Sequence, residues 1–188
     1  GGPPFEAMTT ATLQSKRLTL RQWEAHDLEP FAALNADPEV MEYFVAPLSK
    51  DESAAMVGRM QSAIAKRGWG SWCLDVDGHC AGFVGLSVPA YETHFTPCVE
   101  IGWRLARGYW GQGYASEAAR LALGYGFVTL GLEEIVSFAT ASNQRSRRVM
   151  EQIGMTRDLA GDFEHPRVPE GHPLRRHVLY RLCRPATS

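Results

Sequence analysis

Residues 110–118 read WGQGYASEA. Two glycines, Gly111 and Gly113, stand one residue apart just before a segment with helical periodicity. The first turn of a helix carries N–H groups without intrahelical partners and a partial positive charge. A preceding loop of small residues adds further N–H groups in a concave nest. Together these attract an anion, commonly a phosphate or pyrophosphate. Gly111 and Gly113 let such a group approach the backbone with no Cβ in the way, and Ala115 adds little bulk. The glycines can equally make only a turn, since G-x-G alone is a weak signal. A dinucleotide-binding fold fits less well, because it needs more parallel strands than this chain supplies.

Outward from the loop, the spacing predicts a strand over 98–105 upstream and a helix over 116–130 downstream, with Ala119, Leu123, Phe127 and Leu130 on one face and Gly131 at its end. Further upstream, period-two patterning predicts strands at 69–76 and 82–88, joined by Asp77-Gly78 as a hairpin turn. Residues 50–67 read as a helix closed by Gly68. A short first strand at 18–21, a helix capped near Asp27 and running to Asn35, and a helical turn in 37–44 complete the N-terminal half. Downstream come a strand at 134–140, a helix capped by Ser142 or Asn143 and ended by Gly154, and a last strand at 177–182. Residues 162–173, with three prolines and two histidines, read as a loop. A meander followed by crossovers implies an α/β fold with a mixed sheet and helices on both faces.

The chain has 188 residues, 45% of them hydrophobic, and a net charge of −2. That suits one domain with a real core and gives no basic surface for nucleic acid or membrane. Residues 1–8 read as a tag remnant or disordered N-terminus, leaving 9–188 as a single domain. The absence of a basic, then apolar, leader and of a long apolar run predicts a cytoplasmic chain. Cys73, Cys80, Cys98 and Cys183 form no CxxC pair and read as buried or half-buried thiols. The six histidines lack ligand spacing, so no metal site is expected.

The longer stretch EIGWRLARGYWGQGYASEA, residues 100–118, resembles motif A of the GNAT superfamily, the acetyl-CoA-dependent N-acetyltransferases. That family's loop runs Q/R-x-x-G-x-G/A. Trp110 stands here at its first position, a replacement common in the RimJ/RimL-like branch. The resemblance covers nearly the whole chain from Leu13: SKRLTLRQW and DPEVMEYF are similar to that branch's opening, and NQRSRRVMEQIGM, residues 143–155, to its motif B helix. It implies a GNAT fold whose mixed, mostly antiparallel sheet is splayed between its fourth and fifth strands, 98–105 and 134–140. It implies acetyl-CoA as co-substrate. The pyrophosphate is then expected on the main-chain N–H groups of Gln112, Gly113 and Ala115, with Gly111 and Ser116, and the pantetheine beside Ile101, Trp103 and Leu105 like an added strand. Asn143 would bind the pantetheine or the strand end, and Arg147 or Arg148 the 3′-phosphate; a solvated helix face is the plainer reading of both arginines.

Acetyl transfer to an amine needs a proton acceptor, a polarised carbonyl and a protonated sulfur leaving group. Glu100, in a mostly apolar strand, is the first candidate base, since burial raises a carboxyl pKa. A water chain alone is the alternative, and Glu92, His94 and His172 are weaker candidates. A main-chain N–H in 101–103 is expected to face the oxyanion. The motif B position where many GNATs carry an acidic tyrosine holds Met150, so Ser146, matched to a serine of the RimL-like branch, is the candidate donor to the departing sulfur; coenzyme binding or helix capping is its other reading. Trp69, Trp72, Tyr91 and His172 are the expected walls of the acceptor site, although strand aromatics are more often core. The expected activity is direct transfer to a protein N-terminus or a small-molecule amine. The alternative is an inactive acyl-CoA-binding module serving as sensor or structural subunit. Neither nucleic acid nor membrane is expected as a partner, and a homodimer is open.

Overall fold

The computed structural model describes residues 10–186; the expected N-terminal remnant, 1–8, lies outside them. One eight-stranded sheet organises the described chain. Its strands are β1 (Leu13–Gln14), β2 (Thr19–Arg21), β3 (Ser71–Val76), β4 (His79–Ser87), β5 (Glu100–Leu105), β6 (Glu134–Thr140), β7 (Thr156–Glu164) and β8 (Arg176–Cys183), in the order β1-β2-β3-β4-β5-β6-β8-β7. Four α-helices cover it: α1 (Leu28–Ala36), α2 (Lys50–Arg67), α3 (Tyr114–Gly124) and α4 (Gln144–Gln152). No helix among the described residues is long and apolar enough to cross a membrane.

All neighbouring strands are antiparallel except β5 and β6, which α3 connects as a parallel crossover. That pair touches at a single register position, Glu100 opposite Val136, where the Val136 N–H donates to the Val99 carbonyl at 3.0 Å. One step on, the Ile101 carbonyl takes the Ser137 hydroxyl at 2.8 Å instead of a main-chain partner. From there β5 and β6 part, as the expected splay requires.

Side-chain parity fixes the two faces of the sheet. Trp72, Val84 and Trp103 lie opposite one another across β3, β4 and β5, and the Trp72 ring meets Tyr125 at the end of α3. Phe83 and Arg104 lie opposite one another on the other face, where Phe83 meets Phe31 of α1 and Arg104 meets Met56 of α2. Trp23, Phe31, Leu20, Ile64, Trp72 and Leu86 are among the fully buried side chains that fill the two layers.

Local signals explain most boundaries. Ser49 caps α2 in a reciprocal arrangement with Glu52, and Gly68 ends it in the left-handed conformation. Asn143, not Ser142, caps α4, its side chain accepting the Ser146 N–H. Asp27 stands at the start of α1, as expected, but its side chain makes no cap bond there. It sits fully buried, accepts the Glu24 N–H, and takes a two-pronged contact from Arg21 at 2.8 and 2.9 Å, so it anchors the preceding 3₁₀ turn rather than capping α1. α3 starts at Tyr114 and its last turn widens into a π-helical segment, Tyr125–Thr129. β1 and β7 are the unexpected strands, and β7 takes Asp162, Phe163 and Glu164 from the expected loop. Cys183, expected buried or half-buried, is exposed at the end of β8, while Cys73 and Cys80 are buried.

Candidate active site

Gly111 and Gly113 both adopt positive φ, +74° and +80°, which any side chain would resist. Gly113 is the N-cap of α3 and offers no side-chain acceptor, so the first-turn N–H groups of α3 are left pointing outward. A Cβ on Gly111 would meet nothing within 4 Å, which leaves open space above the loop. Arg17, from the turn between β1 and β2, supports the loop from behind: it donates to the Gln112 carbonyl at 2.8 Å, pairs with Glu117 at 2.7 Å and lies 4.4 Å over the Tyr114 ring.

This loop opens onto a groove of about 340 Å³ between β5, α3 and α4, lined by Gly111, Gly113, Ala115 and Ser116 on one side and Arg145, Ser146, Arg148 and Gln152 on the other. The lining of α4 follows helical phase: positions 145, 148, 149 and 152 face the groove. Arg147 points elsewhere. It donates to the Tyr180 hydroxyl at 3.2 Å and the Ala141 carbonyl at 2.8 Å, so it ties α4 to β8 and lines neither this groove nor the second cavity described below. Arg145, which sequence reasoning missed, lines the groove beside Arg148, stacked 3.5 Å over the Trp110 ring. Trp110 has a structural task as well: its indole N–H donates to the Leu105 carbonyl at 2.9 Å.

The main-chain groups of β5 are thereby accounted for in part. Ile101 turns its carbonyl toward β6, and residues two apart on a strand present their main chain to the same side. Trp103 therefore directs its N–H and carbonyl into the gap between β5 and β6, where no strand pairs with it.

A second cavity of about 490 Å³ lies on the other side of the splay. Phe44, Trp103, Arg104, Asn143 and Ser146 line both, so the two spaces meet at β5 and the start of α4. Glu100, Gly102 and Arg104 line the second cavity along β5, with Phe138 of β6, His177 of β8 and His165 beyond them. Burial pushes the Glu100 carboxyl up to about 7, against a smaller opposing effect of the hydrogen bond it accepts from Ser87 at 3.0 Å. Ser146 brings its side chain to the junction, while its N–H is held by Asn143. Burial also holds His165 and His177 neutral, with the His165 pKa pulled down to about 4.

The residues expected as acceptor walls do not line this second cavity. Trp72 points to the α3 face by strand parity and is fully buried core. Trp69 packs under Arg67 and lines neither cavity. His172 accepts the Leu174 N–H through Nδ1, and His94 contacts the Gly161 carbonyl, both away from the junction. Glu92 is exposed. Tyr91 stands behind the wall, its ring 4.8 Å from that of His165. The lining is supplied instead by Phe44, Phe83, Phe138, His165 and His177. Only Phe83 and Phe138 had a readable signal, their parity with Glu100 on neighbouring strands. The remaining cluster of ligand-type atoms, Asp27 with Cys73 and Cys80, lies buried elsewhere, and the Arg21 guanidinium supplies its positive charge.

A family model described as acetyltransferase (GNAT) domain matches residues 17–156. The chain belongs to the GNAT acetyltransferases. Among GNAT relatives, the chain is 35% identical over 152 residues to an Aspergillus fumigatus protein named FsC-acetyl coenzyme A-N(2)-transacetylase, a match covering 77% of this chain and 65% of that one. A GNAT-family acetyltransferase structure from Bacillus anthracis superposes with a TM-score of 0.76 at 27% identity, over 93% of this chain and 99% of that one. The RimJ of Mycobacterium smegmatis, solved in complex with CoA-disulfide, shares the fold with a TM-score of 0.74 at 17% identity, over 95% and 90% of the two chains.

Proposed function

We propose that residues 9–188 form a single catalytic domain that moves the acetyl group of acetyl-CoA directly to a primary amine. The observation that carries this reading is the junction: the glycine-loop groove and the second cavity meet beside Ser146, with a half-buried carboxyl, Glu100, in the second. The name of the Aspergillus relative, an acetyl coenzyme A transacetylase acting at a nitrogen, supports the same chemistry. A protein N-terminus or a small-molecule amine fits the second cavity.

The residues present suit the coenzyme. N–H groups of Gln112, Gly113 and Ala115, with those of Gly111 and Ser116, cradle the pyrophosphate. Arg148 and Arg145 meet the 3′-phosphate. Along the edge of Ile101, Trp103 and Leu105 the pantetheine lies like an added strand, pairing with the free Trp103 carbonyl, while the Ile101 and Leu105 carbonyls stay with Ser137 and Trp110, and Asn143 closes the strand end. Acetyl-CoA bound there supplies a thioester whose carbonyl carbon accepts an amine.

Each remaining demand falls to a residue of this chain. Glu100, with a pKa near 7, takes the proton that the amine nitrogen must lose as its bond to the carbonyl carbon forms. The Trp103 N–H, unpaired in the splay, donates to the developing oxyanion. As the carbon–sulfur bond breaks, the Ser146 hydroxyl donates a hydrogen bond to the sulfur or relays a water proton to it. No enzyme nucleophile is needed, and the contact with the Cys80 thiol, together with burial, keeps Cys73 a thiol.

The test is thiol release from acetyl-CoA across a panel of primary amines. Acceptor-dependent release, lost in Glu100→Gln, is expected. Tight CoA binding with no release for any amine would replace the enzyme by a coenzyme-binding module.

A further inference from the structure

Arg104 has no acidic partner among the described residues, although it lies in a largely enclosed position on β5. One terminal nitrogen, Nη1, donates to Asn35 Oδ1 at 2.8 Å and contacts the Met56 sulfur at 3.6 Å. Asn35 is itself fully buried and fixed by donating to the Ser53 hydroxyl at 3.0 Å. The guanidinium carbon lies 4.3 Å from the Phe44 ring centroid and 5.4 Å from that of Phe83, so aromatic rings cover it. Nε is buried and has no hydrogen-bond partner. Nη2 makes no hydrogen bond among the described residues either. The edge left free is thus the Nε–Nη2 pair, whose two parallel N–H groups match the two oxygens of a carboxylate.

An enclosed cation without a counter-charge is costly, and a protein keeps one rarely unless something supplies the missing charge. Arg104 lines the cavity that holds Glu100, on the same face of β5. Between them stands Gly102, where a Cβ would meet only the far edge of the Phe83 ring at 4.0 Å. The floor of the cavity therefore carries a proton acceptor at one end, no side chain in the middle and a guanidinium at the other. The two Cα atoms lie about 13 Å apart by strand geometry. Although Arg104 also borders the coenzyme groove, Asn35, Met56 and Phe83, which hold it, all belong to the α1 and α2 face.

We propose that Arg104 binds a carboxylate of the acceptor, so that the amine acetylated by this protein belongs to an aminocarboxylate. This rests on the acetyltransferase reading above and names its acceptor class. Asn35 and Ser53 position the guanidinium, Phe44 and Phe83 restrict it to in-plane contacts, and Gly102 leaves room for the acceptor's backbone between the two charged groups.

The experiment compares kcat/KM for ω-amino acids of increasing length with their carboxamides, acetyl-CoA being the donor. In these compounds the carboxylate is too distant to change the basicity of the amine much. A second arm compares short peptides carrying an early Asp or Glu with the Asn or Gln counterparts, which separates a free amino acid from an acidic peptide. A preference for the acid of about 10- to 100-fold is expected in one arm, the range of a charge-assisted hydrogen bond. In Arg104→Gln the acid-to-amide ratio falls to about one, and Arg104→Lys, which keeps charge but not the fork, falls between. Acetyl transfer to acids and amides at equal kcat/KM overturns the proposal and leaves the acetyltransferase reading intact. A ratio unchanged in Arg104→Gln, or a loss of CoA affinity in its place, overturns it too. CoA binding with no thiol release for any amine overturns both.

Discussion

Replacing Glu100 by glutamine should move activity and stability in opposite directions, and the pH dependence of each is fixed by burial. The ordinary carboxyl value of 4.5 rises here to about 7 because the group is desolvated. That difference corresponds to about 3 kcal/mol. Below pH 4.5 the carboxyl is protonated in both folded and unfolded chains and costs nothing. Between 4.5 and 7 the unfolded chain ionises while the folded chain holds its proton, so stability falls as pH rises. Above about 7 both are ionised and the full cost remains. Glu100→Gln removes it, so chemical denaturation at pH 8.5 should find the variant more stable by up to about 3 kcal/mol, with the gain vanishing near pH 4.5. Acetyl transfer should meanwhile fall by about 10²- to 10⁴-fold, the usual contribution of a positioned base. The acid limb of the wild-type kcat/KM profile, centred near 7, should disappear. Repeating the profile with an amine of different basicity separates the two titrations, since the Glu100 limb stays in place while the amine's own limb moves. A variant no more stable at pH 8.5, or one that keeps the limb near 7, would refute the assignment of a buried proton acceptor to this position.

Four further substitutions probe the rest of the site. Gly113→Ala forces a side chain into a backbone at φ +80° and brings its Cβ within 3.3 Å of the Arg17 guanidinium, so calorimetry should find CoA binding weakened about tenfold. Ser146→Ala should lower kcat about tenfold while changing the dissociation constant of acetyl-CoA by less than about threefold; the reverse pattern would make it a coenzyme ligand only. Arg145→Ala and Arg147→Ala should separate by helix phase. The first weakens CoA more at low salt than at high salt, whereas the second leaves CoA affinity in place and destabilises the fold by about 1 kcal/mol through its lost bonds to Tyr180 of β8 and to the Ala141 carbonyl.

Where a short-range signal decided an element, the sequence located it well. Residues 50–67 form α2 with the expected Gly68 terminus, and the Asp77-Gly78 turn joins β3 and β4. The glycine loop and the approach of Asn143 and Ser146 to it followed from motifs that act through the backbone and helix starts. The second cavity did not, because its walls come from chain segments far apart in sequence. His165, His177 and Phe44 meet Glu100 only through the pairing of β6 with β8 and the folding of the α1–α2 connection. Trp72 was misplaced by the ambiguity of a strand buried on both faces, where alternation gives no hint of direction. Arg147 and Arg148 could not be told apart until the rotation of α4 was set by its cap. β7 escaped notice because its pairing with β8 is interrupted between Asp158 and Phe163, which breaks the period that marks a strand.

On the proposed reading, β5 meets its two ligands at right angles. Its edge, made of peptide groups common to every residue, would turn to the donor, and its face, carrying Glu100, Gly102 and Arg104, lines the second cavity, where the acceptor would sit. A change of side chain on that face leaves the edge as it was. Such a molecule can exchange one acceptor for another by altering a few alternate positions on a single strand, while its grip on the donor, written in peptide bonds, passes unaltered from one specificity to the next.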